Sequence, residues 1–361
     1  MRTDIKSMYA NEIEEYFIQI GEREYRAQQV YHWLHNGVKS FDEMTNLPKT
    51  LRERLSDSFY ISNPQLLRKQ QSTDGTIKYL WNLCDDNNEI IHSQQTVISS
   101  EKKTIESVLL EYEHGLTLCI STQIGCVMGC VFCASTIGGL VRNLKPSEML
   151  DQVIFTQADV GKRISNVVLM GMGEPLDNLD NVIRFIRLIN HSDGLYIGTR
   201  HITISTCGII ENIDKLAKYD IQSSLAVSLH APDDETRSLL LPINKQCGID
   251  ELLAACDRYF KVTGRRVTYE YALIDGVNDT DYHAQLLAKR LSNSGCHVNL
   301  IQLSNVRERG FSPSPLKNVK SFAMVLKNKG VNCTIRRKLG SDIDAACGQL
   351  RRREAMSNTL E

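Results

Sequence analysis

Three cysteines crowded into one short stretch, "GCVMGCVFCAS", carry the strongest chemical signal in this 361-residue chain. Cys126, Cys130 and Cys133 follow a C-x3-C-x2-C spacing that puts three sulfurs in one tight loop. Gly125 and Gly129 let the backbone of that loop bend and approach a bulky inorganic group. Three thiolates are one short of a closed tetrahedral zinc site, and one short of a fully protein-ligated four-iron cluster. Zinc would need a fourth ligand such as His114 or Cys119, but four-ligand zinc sites usually come as two close pairs. A cubane cluster with one iron lacking a protein ligand fits better, because an open iron can bind a small molecule.

Other candidates lie further along. "GMGEP" (171–175) offers glycines for close backbone approach, and Glu174 offers a carboxylate for an ammonium group. Ser205 closes the stretch "HITIST", and Ser228 to His230, "SLH", close "SLAVSL". Taken alone, each reads more readily as a satisfied polar group at a strand end. Cys347 sits in "GSDIDAACGQLR", where Asp342, Asp344, Gly348 and Gln349 are not core-like, so the segment reads as a loop presenting a thiol. Cys119 lies just ahead of the triplet, whereas Cys84, Cys207, Cys247, Cys256, Cys296 and Cys333 read as ordinary thiols.

These residues need a scaffold. From about residue 104, short apolar runs alternate with amphipathic stretches. The predicted strands are "TLCIST" (117–122), "NVVLMG" (166–171), "HITIST" (201–206), "SLAVSL" (224–229), "VTYEYAL" (267–273) and "HVNLIQL" (297–303). Between them lie helical patterns such as "PSEMLDQVIFTQA", started by Pro146 and Ser147, and "NLDNVIRFIRLIN". Strict alternation predicts an α/β fold with a parallel sheet, as a barrel, a partial barrel or an open sheet. In each case the working ends are the loops after the strands, and the cysteine triplet follows the first of them. The first hundred residues read differently, as a small module of mostly helical pattern: Val30, Trp33 and Leu34 share a stripe, and Leu51 and Leu55 another. The expected division is therefore 1–100 accessory, 101–340 core and 341–361 a C-terminal segment.

Composition sets limits. With 42 Lys and Arg against 43 Asp and Glu, the chain has no global positive field, so a nucleic acid must be gripped locally. The basic runs Arg336 to Lys338 and Arg351 to Arg353 could hold phosphates, and Tyr31 and Trp33 could stack on bases. No run of about 18 apolar residues is present, and the charged opening is unlike a signal peptide, so a cytoplasmic protein with no membrane partner is expected. Eleven cysteines in such a compartment point to metal, catalysis or buried thiols rather than a disulfide framework.

The cysteine spacing, with Phe132 before the last cysteine and βα units behind it, resembles the radical S-adenosylmethionine superfamily. Within it, "GCVMGCVFCASTIGGLVRNL", "MGMGEPLDN", "RHITISTCGI", "AVSLHAP", "LPIN" and "DIDAACGQLR" resemble the dual-specificity RNA methyltransferases that modify C2 of adenosine. The likeness runs from about residue 20 to 353. It implies a partial (β/α)6 barrel with a small helical N-terminal domain, one [4Fe-4S] cluster per chain held by Cys126, Cys130 and Cys133, and two S-adenosylmethionine molecules consumed per turnover. It also implies cofactor contacts at Gly173, Glu174, Ser205, Ser228, Leu229, His230 and Ser304, the last standing where the family has Asn. It makes Cys347 the methyl carrier, Cys119 its partner in a transient disulfide, and Glu106 the proton acceptor, although Glu106 by itself reads as a solvated strand residue. The implied substrates are 23S ribosomal RNA and transfer RNA, with an electron donor such as flavodoxin or ferredoxin and a monomeric enzyme. A related family that methylates C8 is the nearest alternative. A radical enzyme acting on a protein, and a redox or structural metal protein, are more distant ones.

Overall fold

The computed structural model describes residues 2–83, 103–292, 294–304, 306–343 and 350–351. Its main sheet has ten strands: β1 (Gln65–Gln71), β2 (Ile77–Asn82), β3 (Thr104–Tyr112), β4 (Gly115–Cys119), β5 (Ile164–Leu169), β6 (Ile202–Thr206), β7 (Ser224–Ser228), β8 (Val267–Leu273), β9 (His297–Gln302) and β10 (Cys333–Ile335). They pair in sequence order, so β1 and β10 are the two edges and the sheet is open. β1 to β4 are joined antiparallel. From β4 to β10 every pair is parallel.

Helices fill the crossovers: α4 (Pro146–Val160), α5 (Leu179–Asn190), α6 (Ile210–Leu216), α7 (Asp234–Leu240), α8 (Ile249–Thr263), α9 (Asp281–Leu291) and α10 (Leu316–Asn328), after α1 (Ala10–Gln19), α2 (Glu24–His35) and α3 (Lys49–Ser58) of the N-terminal module. Their starts follow local rules. Pro146 opens α4, where its missing N–H costs nothing, and Glu148 accepts the Lys145 N–H at 2.8 Å. Along α5, Leu179, Val182, Ile183, Ile186 and Ile189 recur at helical spacing and are buried against the sheet. No helix among the described residues is long and apolar enough to cross a membrane.

The parallel strands alternate, and that alternation makes the site. Val167, Leu169, Ile202, Ile204, Leu225, Val227, Tyr269, Tyr271, Val298 and Leu300 point to the helices and build the main core. Register then puts Lys78, Glu106, Cys119, Thr203, Ser205, Ser228, Glu270 and Asn299 on the opposite face. Most parallel sheets are apolar on both faces. Here one face carries these polar groups on seven strands, β2 to β4 and β6 to β9, which is what a reaction chamber requires.

Residues 59–83 differ from the helical expectation for the N-terminal module. Helices occupy residues 10–19, 24–35 and 49–58, with their own core around Phe17, Val30, Leu34 and Leu55 that also takes in Leu188 of α5. β1 and β2 instead extend the main sheet. The reason is register with β3, which no local pattern in "QLLRKQQ" reveals, because that edge strand is almost wholly exposed. Tyr31 is also buried, stacked on His35 with ring centroids 4.3 Å apart, so it offers no face to a base. Trp33 is half-buried and donates its indole N–H to Asn46 at 2.7 Å.

Candidate active site

After β4 the chain turns through a short ribbon, Gln123–Gly125 paired with Leu140–Asn143, and the cysteine loop is the excursion between its strands. Gly125 is indispensable to that closure: at φ 82°, a Cβ there would lie 2.0 Å from the Gly139 carbonyl oxygen. The Cys126 N–H donates to the same oxygen at 3.1 Å. Within the loop, the Thr136 hydroxyl donates to the Cys130 and Cys133 carbonyls at 3.2 and 3.1 Å. Arg309 reaches in from beyond β9 and donates to the Cys133 carbonyl at 3.0 and 3.2 Å. Burial pushes the Cys126 thiol up to about 12, and the Cys130 thiol higher still. Thiols held this way without a cation stay protonated, and binding a metal group would displace those protons.

All three cysteines line a cavity of about 300 Å³ at the C-terminal ends of the parallel strands. Gly173, Glu174, Ser205, Ser228, His230 and Ser304 line it as well. Leu229 does not; it is fully buried behind the wall, its N–H donating to the Glu270 carbonyl at 3.0 Å. Gly173 has φ 103°, and a Cβ there would strike Gln123 at 2.6 Å, which explains a glycine beside the cavity. Glu174 is buried, and burial raises its pKa. Its two oxygens accept the Leu176 and Cys207 N–H groups at 3.0 and 2.8 Å, tying the loop after β5 to the loop after β6. The Thr206 and Cys207 side chains hydrogen-bond to Glu174 as well.

His230 stands in a left-handed conformation, φ 55°, with strain of order 1–3 kcal/mol for a residue with a Cβ. Its Nδ1 accepts the Ala272 N–H at 2.9 Å, so the neutral ring carries its proton on Nε2. Burial, aided by the Arg237 charge, lowers its pKa to about 3. The Phe132 ring meets it edge-on at 5.1 Å. The imidazole is therefore a fixed, uncharged hydrogen-bond donor.

Glu106 and Cys119 sit on the polar sheet face. Glu106 is buried and pairs with Lys78 at 2.8 Å. Its other oxygen accepts the Arg351 N–H at 2.6 Å. Cys119, half-buried, lies across from Val108 on β3 and Val168 on β5. Cys347, Asn305, Arg352 and Arg353 lie outside the described residues.

Several cavity residues were missed by sequence reading. Cys207, read as an ordinary thiol, lines the cavity, and its position just past β6 was the available signal. Glu270 on β8 lines it too, receiving the Asn299 amide at 3.0 Å, and burial raises its pKa against the pull of Arg336. Arg336, assigned to a phosphate-binding run, is a cavity residue; Arg337 and Lys338 beside it are exposed.

Comparison with known proteins agrees with this geometry. The Radical SAM superfamily profile matches residues 120–286 and the Ribosomal RNA large subunit methyltransferase N-terminal domain profile matches residues 3–61. A Probable dual-specificity RNA methyltransferase RlmN from Alkaliphilus oremlandii (strain OhILAs) is 49% identical over 98% of both chains. The chain belongs to the RlmN family. A second member, from Clostridium tetani (strain Massachusetts / E88), is 46% identical over 97% of this chain and 96% of its own. The crystal structure of a radical SAM methyltransferase from Sphaerobacter thermophilus superposes with a TM-score of 0.87, at 40% identity, over 96% of this chain and 98% of that one. The fold and the radical SAM RNA methyltransferase class are thereby established for this chain.

The donor set fits the group this family implies. Among the described residues no three His, Cys, Asp or Glu side chains gather around one ion. A cubane asks for something else, one thiolate per iron around a large group, and three cysteines lining a single cavity suit that demand.

Proposed function

We propose that this protein methylates C2 of a specific adenosine in 23S ribosomal RNA and in certain transfer RNAs, through a methyl group carried on Cys347. The observation that carries the reading is convergence: the three cysteines and six of the seven expected cofactor residues line one cavity, and Glu106 and Cys119 share the sheet face behind it. Cys126, Cys130 and Cys133 would hold the four-iron cluster. Bound there with S-adenosylmethionine on its open iron, the cluster supplies one-electron cleavage of the sulfonium bond.

The remaining work belongs to the chain. C2 of adenine lies between two ring nitrogens and is too electron-poor to attack a sulfonium methyl, so a carrier is needed. Cys347 would accept a methyl group by displacement; one methyl hydrogen would leave as an atom to the cleaved cofactor, the carbon would bond C2 and join the RNA to the sulfur, and the adduct would give up one electron to the cluster. Glu106, gripped by Lys78, would take the C2 proton. The Cys119 thiolate would then attack the Cys347 sulfur and release the methylated base, leaving a Cys119–Cys347 disulfide for reduction. His230 would donate its fixed Nε2–H to the cofactor, and Ser205, Ser228 and Ser304 their hydroxyls. Chemistry at a base edge requires the adenine to leave its stack, which single-stranded loops make cheaper.

The test is nucleoside mass spectrometry of ribosomal and transfer RNA from cells lacking the endogenous activity. This protein is expected to restore 2-methyladenosine in both, and Cys347→Ala in neither. Restored 8-methyladenosine would assign it to the C8 chemistry instead, and no methylation of either RNA would contradict the proposal.

A further inference from the structure

Helix α7 and the segment "LPIN" after it lie beside the cavity, which Leu241 lines. Arg237 of α7 is 1% exposed, the largest fully buried side chain among the described residues. Its Nε donates to the Leu229 carbonyl at 3.2 Å, and its Nη2 to the Cys207 and Ser228 carbonyls at 2.6 and 3.3 Å. Its Nη1 donates to the Asn244 side chain at 2.7 Å. None of these acceptors is a carboxylate. The Asp234 carboxylate acts on Arg237 at one remove, accepting the Asn244 amide N–H at 2.8 Å; a buried cation whose direct partners are all neutral dipoles is still costly, and such an arrangement persists where something anionic nearby offsets that cost.

The other side of the same segment touches the cysteine loop. The Leu240 carbonyl accepts the Val131 N–H at 3.1 Å, and the Pro242 ring packs 3.5 Å from the position of a Cβ on Gly129. One short segment thus joins the cysteine loop to the loops after β6 and β7, and puts its one fully buried cation between them.

We propose that Arg237 is a positioning residue: it locks the loops after β6 and β7 to the cysteine loop, and its fixed charge favours the one-electron-reduced state of the cluster. Reduction by a low-potential donor adds a negative charge to a group that three thiolates already make anionic, and a desolvated cation behind it offsets part of that cost. The inference rests on the reading of the cysteines as a cluster site.

The test uses anaerobically reconstituted full-length protein, Arg237→Met and Arg237→Lys. Iron is counted first, then the cluster is titrated with dithionite and followed by electron paramagnetic resonance, and S-adenosylmethionine binding is measured separately. In Arg237→Met, the ratio of reduced to oxidised cluster at the wild-type midpoint should fall about tenfold, a shift of ~59 mV to lower potential for one electron. Arg237→Lys should keep the potential near wild type, because the charge remains, but bind S-adenosylmethionine several-fold more weakly, because the fork across the loops is lost. Arg237→Met with full iron and an unmoved potential would overturn the proposal. If Arg237→Met retains no iron, Arg237→Lys decides: weakened binding at wild-type potential supports the proposal, while unchanged binding or a lowered potential overturns it. Absence of a four-iron cluster in the wild type would instead remove the reading of the site.

Discussion

Among the described residues two lysine–carboxylate pairs are fully buried, and they do different work. Lys6 meets Asp151 where the N-terminal module docks on α4, with side chains 1% and 0% exposed. Lys78 meets Glu106 on the polar sheet face, at 0% and 2%. By burial and charge they are twins. Their neighbours separate them. The Lys6 ammonium also donates to the Ser62 carbonyl, the Ser62 hydroxyl donates to Asp151 at 2.6 Å, and Phe155 covers the ammonium at 5.5 Å, so the pair is sealed among structural groups. A second tie, Arg184 to Glu12, reinforces the same seam. Glu106 instead shares its sheet face with a cysteine, and the backbone N–H it holds belongs to Arg351, just beyond the Cys347 segment. A buried carboxylate is a functional candidate because of what it faces.

The sharpest way to break this comparison is to neutralise one member of each pair. Both changes strand a buried charge, so both should destabilise the fold by about 3–5 kcal/mol. Turnover per folded molecule should divide them. Glu106→Gln should lose about 10²–10⁴-fold in single-turnover methylation, the usual share of a general base. Lys6→Met should keep turnover within a factor of a few while its denaturant midpoint falls. Equal losses of turnover in the two variants would erase the distinction.

A smaller effect comes from pH. Each region buries a neutral histidine: burial holds both His35, in the seam, and His230, in the cavity, near pKa 3 rather than 6.5. The unfolded chain binds these protons first, so both contributions are complete above pH 6.5 and are lost as pH falls toward 3, by about 1.4 kcal/mol per pH unit per group at most. Asp151 has the opposite sign. Burial raises it to about 6 from 3.8, so its contribution is largest at low pH and is lost as pH rises through that window. Thermal unfolding of His35→Gln should therefore fall less steeply on acidification than the wild type. An identical slope would remove the seam histidine from the account.

The smallest expected effect lies at the β1–β2 turn. Asp74 accepts the Gly340 N–H at 2.8 Å, and Asp342 accepts the Thr73 N–H at 3.0 Å and the Ser72 hydroxyl, so the turn clasps the chain just before the Cys347 segment. Asp74→Ala with Asp342→Ala should lower the methylation rate only a few-fold, through orientation. Its melting temperature should stay at the wild-type value. No change in rate would make the clasp incidental.

Six of the seven parallel strands were legible in the sequence, and the three-residue edge strand β10 was not. The six carry β-branched alternation, the helices between them carry start signals such as Pro146 and stripes such as Leu179 to Ile189, and the cysteine loop follows a strand where ligand loops belong. The antiparallel extension was not. β1 is an edge strand with almost nothing buried, and β2 carries Lys78 at a fully buried position, which breaks any apolar pattern. Glu106 looked solvated for the same reason. Its partner is a lysine from another strand, and cross-strand register is not a local property. Arg237 was equally invisible, since a charged helix residue suggests solvent until the carbonyls of two loops are found around it.

The central claim, that the three-cysteine cavity holds a cluster with an open iron, meets its most direct test in electron paramagnetic resonance of the reduced anaerobic protein. Wild-type protein is expected to give a four-iron signal that changes when S-adenosylmethionine is added, and Cys126→Ala to give none. Zinc in place of iron, or a cluster signal indifferent to S-adenosylmethionine, would contradict the claim.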